Sequence, residues 1–250
     1  MIGMSTLMSD EVENAWHAIS TLNEKALHAA VKNWYAEPGD RLEVLVDGFL
    51  IDIVRGDLLI EIQTRNLSAI KRKLGLLAKT HRVRLVVPVA QDKWIVRLTD
   101  DGTSRLSRRK SPKHGCIESI FEELVSVPAL LSRPDFSLDV LLIKEEEVRR
   151  RDGSHRAWRR GGWVTQERRL LEVVERRTFE SPGDLAALIP ASLVDPFDTA
   201  HLAESIGQPR WLAQKMAYCL REMGAITPVG KNGNAVLYGR AGATTGRSVS

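Results

Sequence analysis

The chain has 250 residues, 43% of them hydrophobic and 27% charged, with a formal net charge of +4. That balance suits a globular protein with one large core or two smaller ones. It offers no run of about 18 apolar residues for a membrane span, no cationic, apolar signal segment in MIGMSTLMSDEVENAW, and no CxxC pairing around its two isolated cysteines, Cys116 and Cys219, so a reducing cytoplasm is the expected location.

Residues 1–12 read as a flexible leader. The stretch Ser20–Asn33 predicts a helix, because Glu24, Leu27, Val31 and Trp34 recur at helical spacing. Glu24 then lies along the apolar stripe, either as a site carboxylate or as an N-terminal acid favoured by the helix dipole. His28, one turn further on, reads as a partly buried surface histidine.

Two hairpins follow. Arg41–Val46 joins the next strand through Asp47-Gly48, a dipeptide that favours a type I′ turn. Strands Phe49–Val54 and Leu58–Thr64 are joined at Arg55-Gly56, with Val54 expected opposite Asp57, Asp52 opposite Leu59 and Leu50 opposite Glu61. Side chains alternate along strands, so Asp52, Glu61 and Gln63 are expected on one face. The first hairpin places Glu43 opposite Asp52, roughly 4.5–5.5 Å away between Cβ atoms. Carboxylates inside an apolar sheet are costly unless paired or metal-bound. Asp52, Glu61 and Glu43 therefore form a candidate oxygen site for Mg²⁺ or Mn²⁺; a solvated sheet edge is the other reading.

In these residues the chain resembles the PD-(D/E)xK nuclease superfamily. The order is an acidic helix, a strand with Asp52, a strand with Glu61-Ile62-Gln63, a helix over Asn66–Lys79 and a strand over Arg82–Val87. The resemblance covers about residues 13–100, within a core expected to run from about 13 to 103, and implies a restriction-endonuclease-like mixed sheet flanked by helices. It implies catalytic roles for Glu24, Asp52, Glu61 and Gln63. The family usually has Lys where Gln63 stands, and a lysine on the following helix, Lys71 or Lys73, is the expected substitute.

Residues 104–163 read as a basic mixed connection. It opens with a loop carrying Arg105, Arg108, Arg109, Lys110 and Lys113, continues as a helix around Ile117–Leu131 and a strand at Ser137–Lys144, and ends as a charged surface link from Glu145 to Arg151. From Val148 to Arg177 there are ten arginines against four acids, with Trp158 and Trp163 interleaved. Clustered arginine suits phosphate contacts, and Arg–Trp interleaving permits base stacking; a solvated charged face is the alternative. Arg108, Arg109, Lys110, Arg159 and Arg160 are candidate nucleic-acid contacts.

The remainder, residues 164–240, predicts helices at Thr165–Arg177 and Pro182–Ile189. A helix Thr199–Ile206 follows, capped by Asp198 and stopped by Gly207, then a helix Arg210–Met223 closed by Gly224. Short strands Ala225–Val229 and Ala235–Tyr238 flank the turn Lys231-Asn232-Gly233. This order resembles a winged helix-turn-helix domain. In its presumed recognition helix Ala213, Met216, Ala217 and Leu220 form the apolar stripe, while Arg210, Gln214, Lys215 and Arg221 stay polar and Lys231 tips the wing. Such domains bind DNA or another protein. Residues 241–250 read as a polar tail.

The resulting expectation is an α/β nuclease-like core followed by a winged helix, hydrolysing DNA with Mg²⁺ or Mn²⁺. No GxxxxGK[ST] loop exists to bind a nucleotide triphosphate, and no membrane partner is expected. Cutting both strands of a duplex would suit a homodimer. The competing expectations are a DNA-binding regulator with a degenerate core, favoured by Gln63, and a module whose basic faces bind an acidic protein.

Overall fold

A chain with two Gly-containing tight turns close together must lay down a three-stranded antiparallel ribbon, and it does. The computed structural model describes residues 26–152 and 162–241. After a helix α1 over residues 26–35 come β1 (Arg41–Val46), β2 (Phe49–Arg55) and β3 (Leu58–Ile62). A short 3-10 turn (Leu67–Ile70) leads into α2 (Lys71–Leu77), which crosses to β4 (Arg82–Leu98). Next are β5 (Arg105–Lys110), α3 (Phe121–Leu124), and the long strands β6 (Phe136–Arg151) and β7 (Trp163–Phe179). The C-terminal part holds α4 (Pro182–Ala186), α5 (Thr199–Ile206), α6 (Arg210–Glu222), β8 (Ile226–Asn232) and β9 (Ala235–Arg240).

The architecture is mixed α/β. A seven-stranded sheet has the order β1-β2-β3-β4-β6-β7, with β5 also paired to β4. Its first pairs are antiparallel, whereas β3 and β4 run parallel. Parallel neighbours need a crossover, and α2 supplies it. Because β3 has a strand on each side and a helix over it, four of its five residues are buried, including Ile60 and Ile62. Among the described residues no helix is long and apolar enough to cross a membrane.

The fold divides into two units. One comprises Arg41–Val87, Ile117–Val140 and Arg177–Ser250; the other comprises Met1–Asp40, Pro88–Cys116 and Leu141–Arg176. In the first, α6 packs against both α5 and α3. Asp198 caps α5 by accepting from the Ala200 and His201 amides, and Gly207 ends it in the left-handed region at φ +63. Phe197 forms a single antiparallel bridge with Tyr238, which ties the segment ahead of α5 to the two-stranded β8–β9 hairpin. In the second unit the helix α1 buries Leu27, Val31 and Tyr35, one per turn, while Trp34 is exposed; the apolar stripe therefore runs through Tyr35 rather than the expected Trp34.

Several elements differ from expectation. Arg55 pairs with Leu58 across a Gly56-Asp57 turn, so Val54 faces Leu59 and the expected register is displaced by two residues. A two-residue shift keeps every side chain on its face. The expected basic loop is the strand β5, antiparallel to β4. The expected helix Thr165–Arg177 is β7, in which Val164, Thr165, Val173, Val174 and Thr178 supply β-branched positions and strand pairing overrides the helical propensity of the arginines and glutamates. The expected surface link at Glu145–Arg151 lies inside β6, where Glu145 and Glu147 are buried. That burial is tolerated because Lys93 reaches both carboxylates, at 2.9 and 3.1 Å, and Arg168 reaches Glu145 at 2.6 Å. The expected helix Ile117–Leu131 breaks into short turns; Pro128 has no amide to continue it.

Replacing the fully buried Ile60 with Ala is expected to cost about 2–5 kcal/mol in urea unfolding, whereas Asp198→Ala, losing only a cap, should cost about 1 kcal/mol. Equal effects would contradict this assignment of the core.

Candidate functional site

The site grows from the point where β2 and β3 part. Their ladder runs to Ile53 opposite Ile60, and continuing it sets Asp52 opposite Glu61. There the Asp52 carboxylate takes over from the backbone, Oδ2 accepting the Ile62 amide at 2.9 Å. On β1, Val44 and Leu42 pair with Ile51 and Ile53, which puts Glu43 across from Asp52 as the Asp47-Gly48 turn required. Glu43, however, is exposed and has a left-handed backbone at φ +52. Among the described residues no three His, Cys, Asp or Glu side chains converge in a metal-binding group. Glu43 therefore does not join Asp52 and Glu61 in the expected three-carboxylate set; its distorted backbone breaks the strand's alternation at that point.

Glu61 is the buried member, 4% exposed. Lys73, from the first turn of α2, extends its ammonium to Glu61 Oε1 at 2.5 Å and to the Leu50 carbonyl at 2.5 Å. No aligned hydrogen bond reaches Glu61 Oε1 despite that contact. Desolvation by burial pushes the Glu61 carboxyl up to about 7; Lys73 pulls the other way and the Asp52 charge adds to the rise. Burial outweighs the ammonium, so Glu61 changes charge near neutral pH. Lys71, the other candidate lysine, is exposed.

Gln63 lies just past β3, its amide donating to the carbonyls of Arg65 at 2.6 Å and Asn66 at 3.4 Å. Its nitrogen thus braces the turn that starts the path to α2. That path is fixed from α3 as well, where Glu123 Oε2 accepts the Leu67 amide at 3.3 Å. Glu24 lies outside the described residues.

The candidate nucleic-acid residues separate into groups. On β5, Arg108 pairs with Glu146 at 2.7 Å and lies over the Trp94 ring, Lys110 pairs with Asp92 at 2.8 Å, and Arg109 is exposed. Arg159 and Arg160 lie outside the described residues. On α6, Arg210 and Gln214 are exposed, and the buried stripe consists of Leu212, Ala213, Met216, Ala217, Cys219 and Leu220. Lys231, near the hairpin tip, is exposed opposite Val236. Sequence reasoning overlooked Trp211 and Tyr218, which are exposed on α6. Their seven-residue spacing, opposite the apolar stripe, was the available signal.

Comparison with known proteins gives the class of this chain before any activity. Residues 25–180 match the family described as Domain of unknown function (DUF8091), and the chain belongs to that family. It is also 32% identical over 221 residues to an uncharacterized protein of Treponema pallidum (strain Nichols), an alignment covering 88% of this chain and 86% of that protein. No solved structure matches it.

The raised Glu61 pKa makes a pH prediction. A carboxyl with an ordinary value of 4.5 and a folded value of about 7 binds its proton more tightly in the native state. Its contribution to stability is full below about pH 4.5 and is lost as pH rises through about 7. Urea unfolding of Glu61→Gln should therefore decline less than wild type between about pH 5 and 8; identical pH profiles would contradict the buried, proton-retaining carboxyl.

Proposed function

We propose that the protein is a metal-dependent nuclease of restriction-endonuclease-like fold with a C-terminal winged helix, acting on DNA. The observation that carries this reading is the Glu61–Lys73 pair beside Asp52. It combines carboxylates on two adjacent strands, Asp52 on the Ile62 amide and Glu61 on Lys73, with a cation delivered by the following helix. Lys73 would thereby take the part that the PD-(D/E)xK nucleases, which the sequence resembles, give to a lysine at the position of Gln63.

The two carboxylates fit a hard cation. Mg²⁺ is commonly held by one or two carboxylates, with water and substrate phosphate filling its remaining positions, so a third protein carboxylate is not required. Glu61 Oε1 lies against the Lys73 ammonium at 2.5 Å, so an ion held by Glu61 would share that oxygen with Lys73 or displace it. Asp52 and Glu61 would hold Mg²⁺ or Mn²⁺, which when bound polarises a phosphate and lowers the pKa of coordinated water. Lys73 would stabilise negative charge growing on the phosphate. Asp52 is oriented for its part by the Ile62 amide. Gln63 shapes the turn that delivers Lys73.

The winged-helix reading is supported by the order α5, short turn, α6, β8–β9, and by the Phe197–Tyr238 bridge that ties the leading segment to the hairpin. Exposed Arg210, Gln214 and Lys231 suit phosphate contact. The second reading, a DNA-binding regulator with an inactive core, draws on Gln63, whose amide is engaged with the Arg65 and Asn66 carbonyls.

Plasmid, linear, nicked and branched DNA incubated with Mg²⁺ or Mn²⁺ separates them. Cleavage is expected from the wild-type protein, with a loss of roughly 100-fold or more in Asp52→Ala, Glu61→Gln and Lys73→Ala and only a few-fold loss in Gln63→Ala. DNA binding without metal-dependent cleavage would establish the regulator instead.

A further inference from the structure

A helix that packs one face on a core ordinarily gives its other face to charged and small polar residues. The outer face of α6 departs from this. Trp211 is 47% exposed and Tyr218 is 38% exposed. They stand seven residues apart, two turns along one side, with exposed Gln214 and half-buried Lys215 between them. Each ring carries a cation: Lys215 Nζ is 5.4 Å from the Trp211 centroid and Arg221 Cζ is 5.4 Å from the Tyr218 centroid. Arg210 adds a further exposed charge, and Glu222 is occupied by Arg221 at 2.7 Å.

We propose that this face of α6 stacks unpaired DNA bases, so that the protein's substrate contains a single-stranded segment. The inference rests on the reading of the protein as DNA-binding and specifies the substrate class. Readers of intact duplex use amides and guanidinium groups that reach base edges in the major groove. Aromatic planes have no base edge to bind there, but they take any unpaired base by its π-face. Seven residues of helix rise about 10.5 Å, which matches about three base steps of a strand stacked at roughly 3.4 Å. Lys215 over the Trp211 ring and the exposed Arg210 beside it are set to neutralise phosphates flanking those bases, which gives the face charge complementarity to a strand. Leu50, Asp52, Glu61, Lys73 and α6 all belong to one unit of the fold. Within it α6 packs on α3, whose Glu123 holds the Leu67 amide at the entry to α2.

The test is fluorescence anisotropy of the full chain with a labelled oligothymidine and, separately, with a labelled duplex of equal length, in EDTA so that cleavage plays no part. Wild type is expected to bind the single strand more tightly than the duplex. The double variant Trp211→Ala/Tyr218→Ala should lose at least about tenfold on the single strand and less than about threefold on the duplex. Trp211→Phe/Tyr218→Phe, which keeps both rings, should restore binding. Unchanged single-strand affinity in the alanine variant, an equal loss on duplex, or no binding of either DNA by wild type would overturn the proposal, the last pointing to a protein partner. Metal-dependent cleavage with an insensitive aromatic pair would defeat this inference alone; stacking without cleavage would defeat the nuclease reading alone.

Discussion

The arrangement depends on one buried carboxyl group, that of Glu61, held between two opposing forces. Its strand lies at the interior of the sheet, so water is stripped from it, and desolvation alone would keep it protonated. Lys73 opposes this from 2.5 Å, and Asp52 adds a like charge from the neighbouring strand. A side chain in this balance responds strongly to any added charge. A divalent cation would settle it as a carboxylate, and loss of Lys73 would settle it as an acid. Ordinary surface carboxylates have no such sensitivity, because solvent screens them.

The rest of the site-bearing unit keeps that balance in place. The tight turn at Gly56-Asp57 fixes which residue of β2 faces Glu61. The parallel pairing of β3 with β4 demands a crossover, and the crossover helix brings Lys73 over the strand. Gln63 and Glu123 then hold the short turns through which the chain reaches α2. Lys73 also donates to the Leu50 carbonyl, so its ammonium is tied to β2 as well as to β3. Each of these contacts is modest alone. Together they leave the lysine little freedom, and positioning of that kind is what a catalytic group requires.

Much of this was legible in the sequence where local chemistry decides the outcome. Asp47-Gly48 set the first hairpin register, and Asp198 and Gly207 set both ends of α5. The second hairpin was legible only to within two residues, because a Gly at the turn does not say whether Arg55 or Asp57 shares it with Gly56. The period of two kept Asp52 and Glu61 on one face regardless. The charged strands β5, β6 and β7 were not legible. Arg, Glu and Lys carry helical or loop propensity, and only pairing with distant strands, with Lys93 and Arg168 neutralising the buried Glu145, makes such segments extended. Lys73 could be named only as one of two lysines, since a short 3-10 turn ahead of α2 determines which of them faces the strand. Trp211 and Tyr218 were not legible, because an aromatic residue in an amphipathic helix is ordinarily a core position, and here both stand opposite the buried stripe.

The central claim is that Asp52 and Glu61 together form a cation site beside Lys73. It is tested most directly by titrating Mn²⁺ into the protein without nucleic acid and counting bound ions by electron paramagnetic resonance. The account predicts one saturable Mn²⁺ per chain, displaced by Mg²⁺ and lost in both Asp52→Ala and Glu61→Gln. A protein that binds no Mn²⁺ specifically, or binds it equally well in both variants, would contradict it.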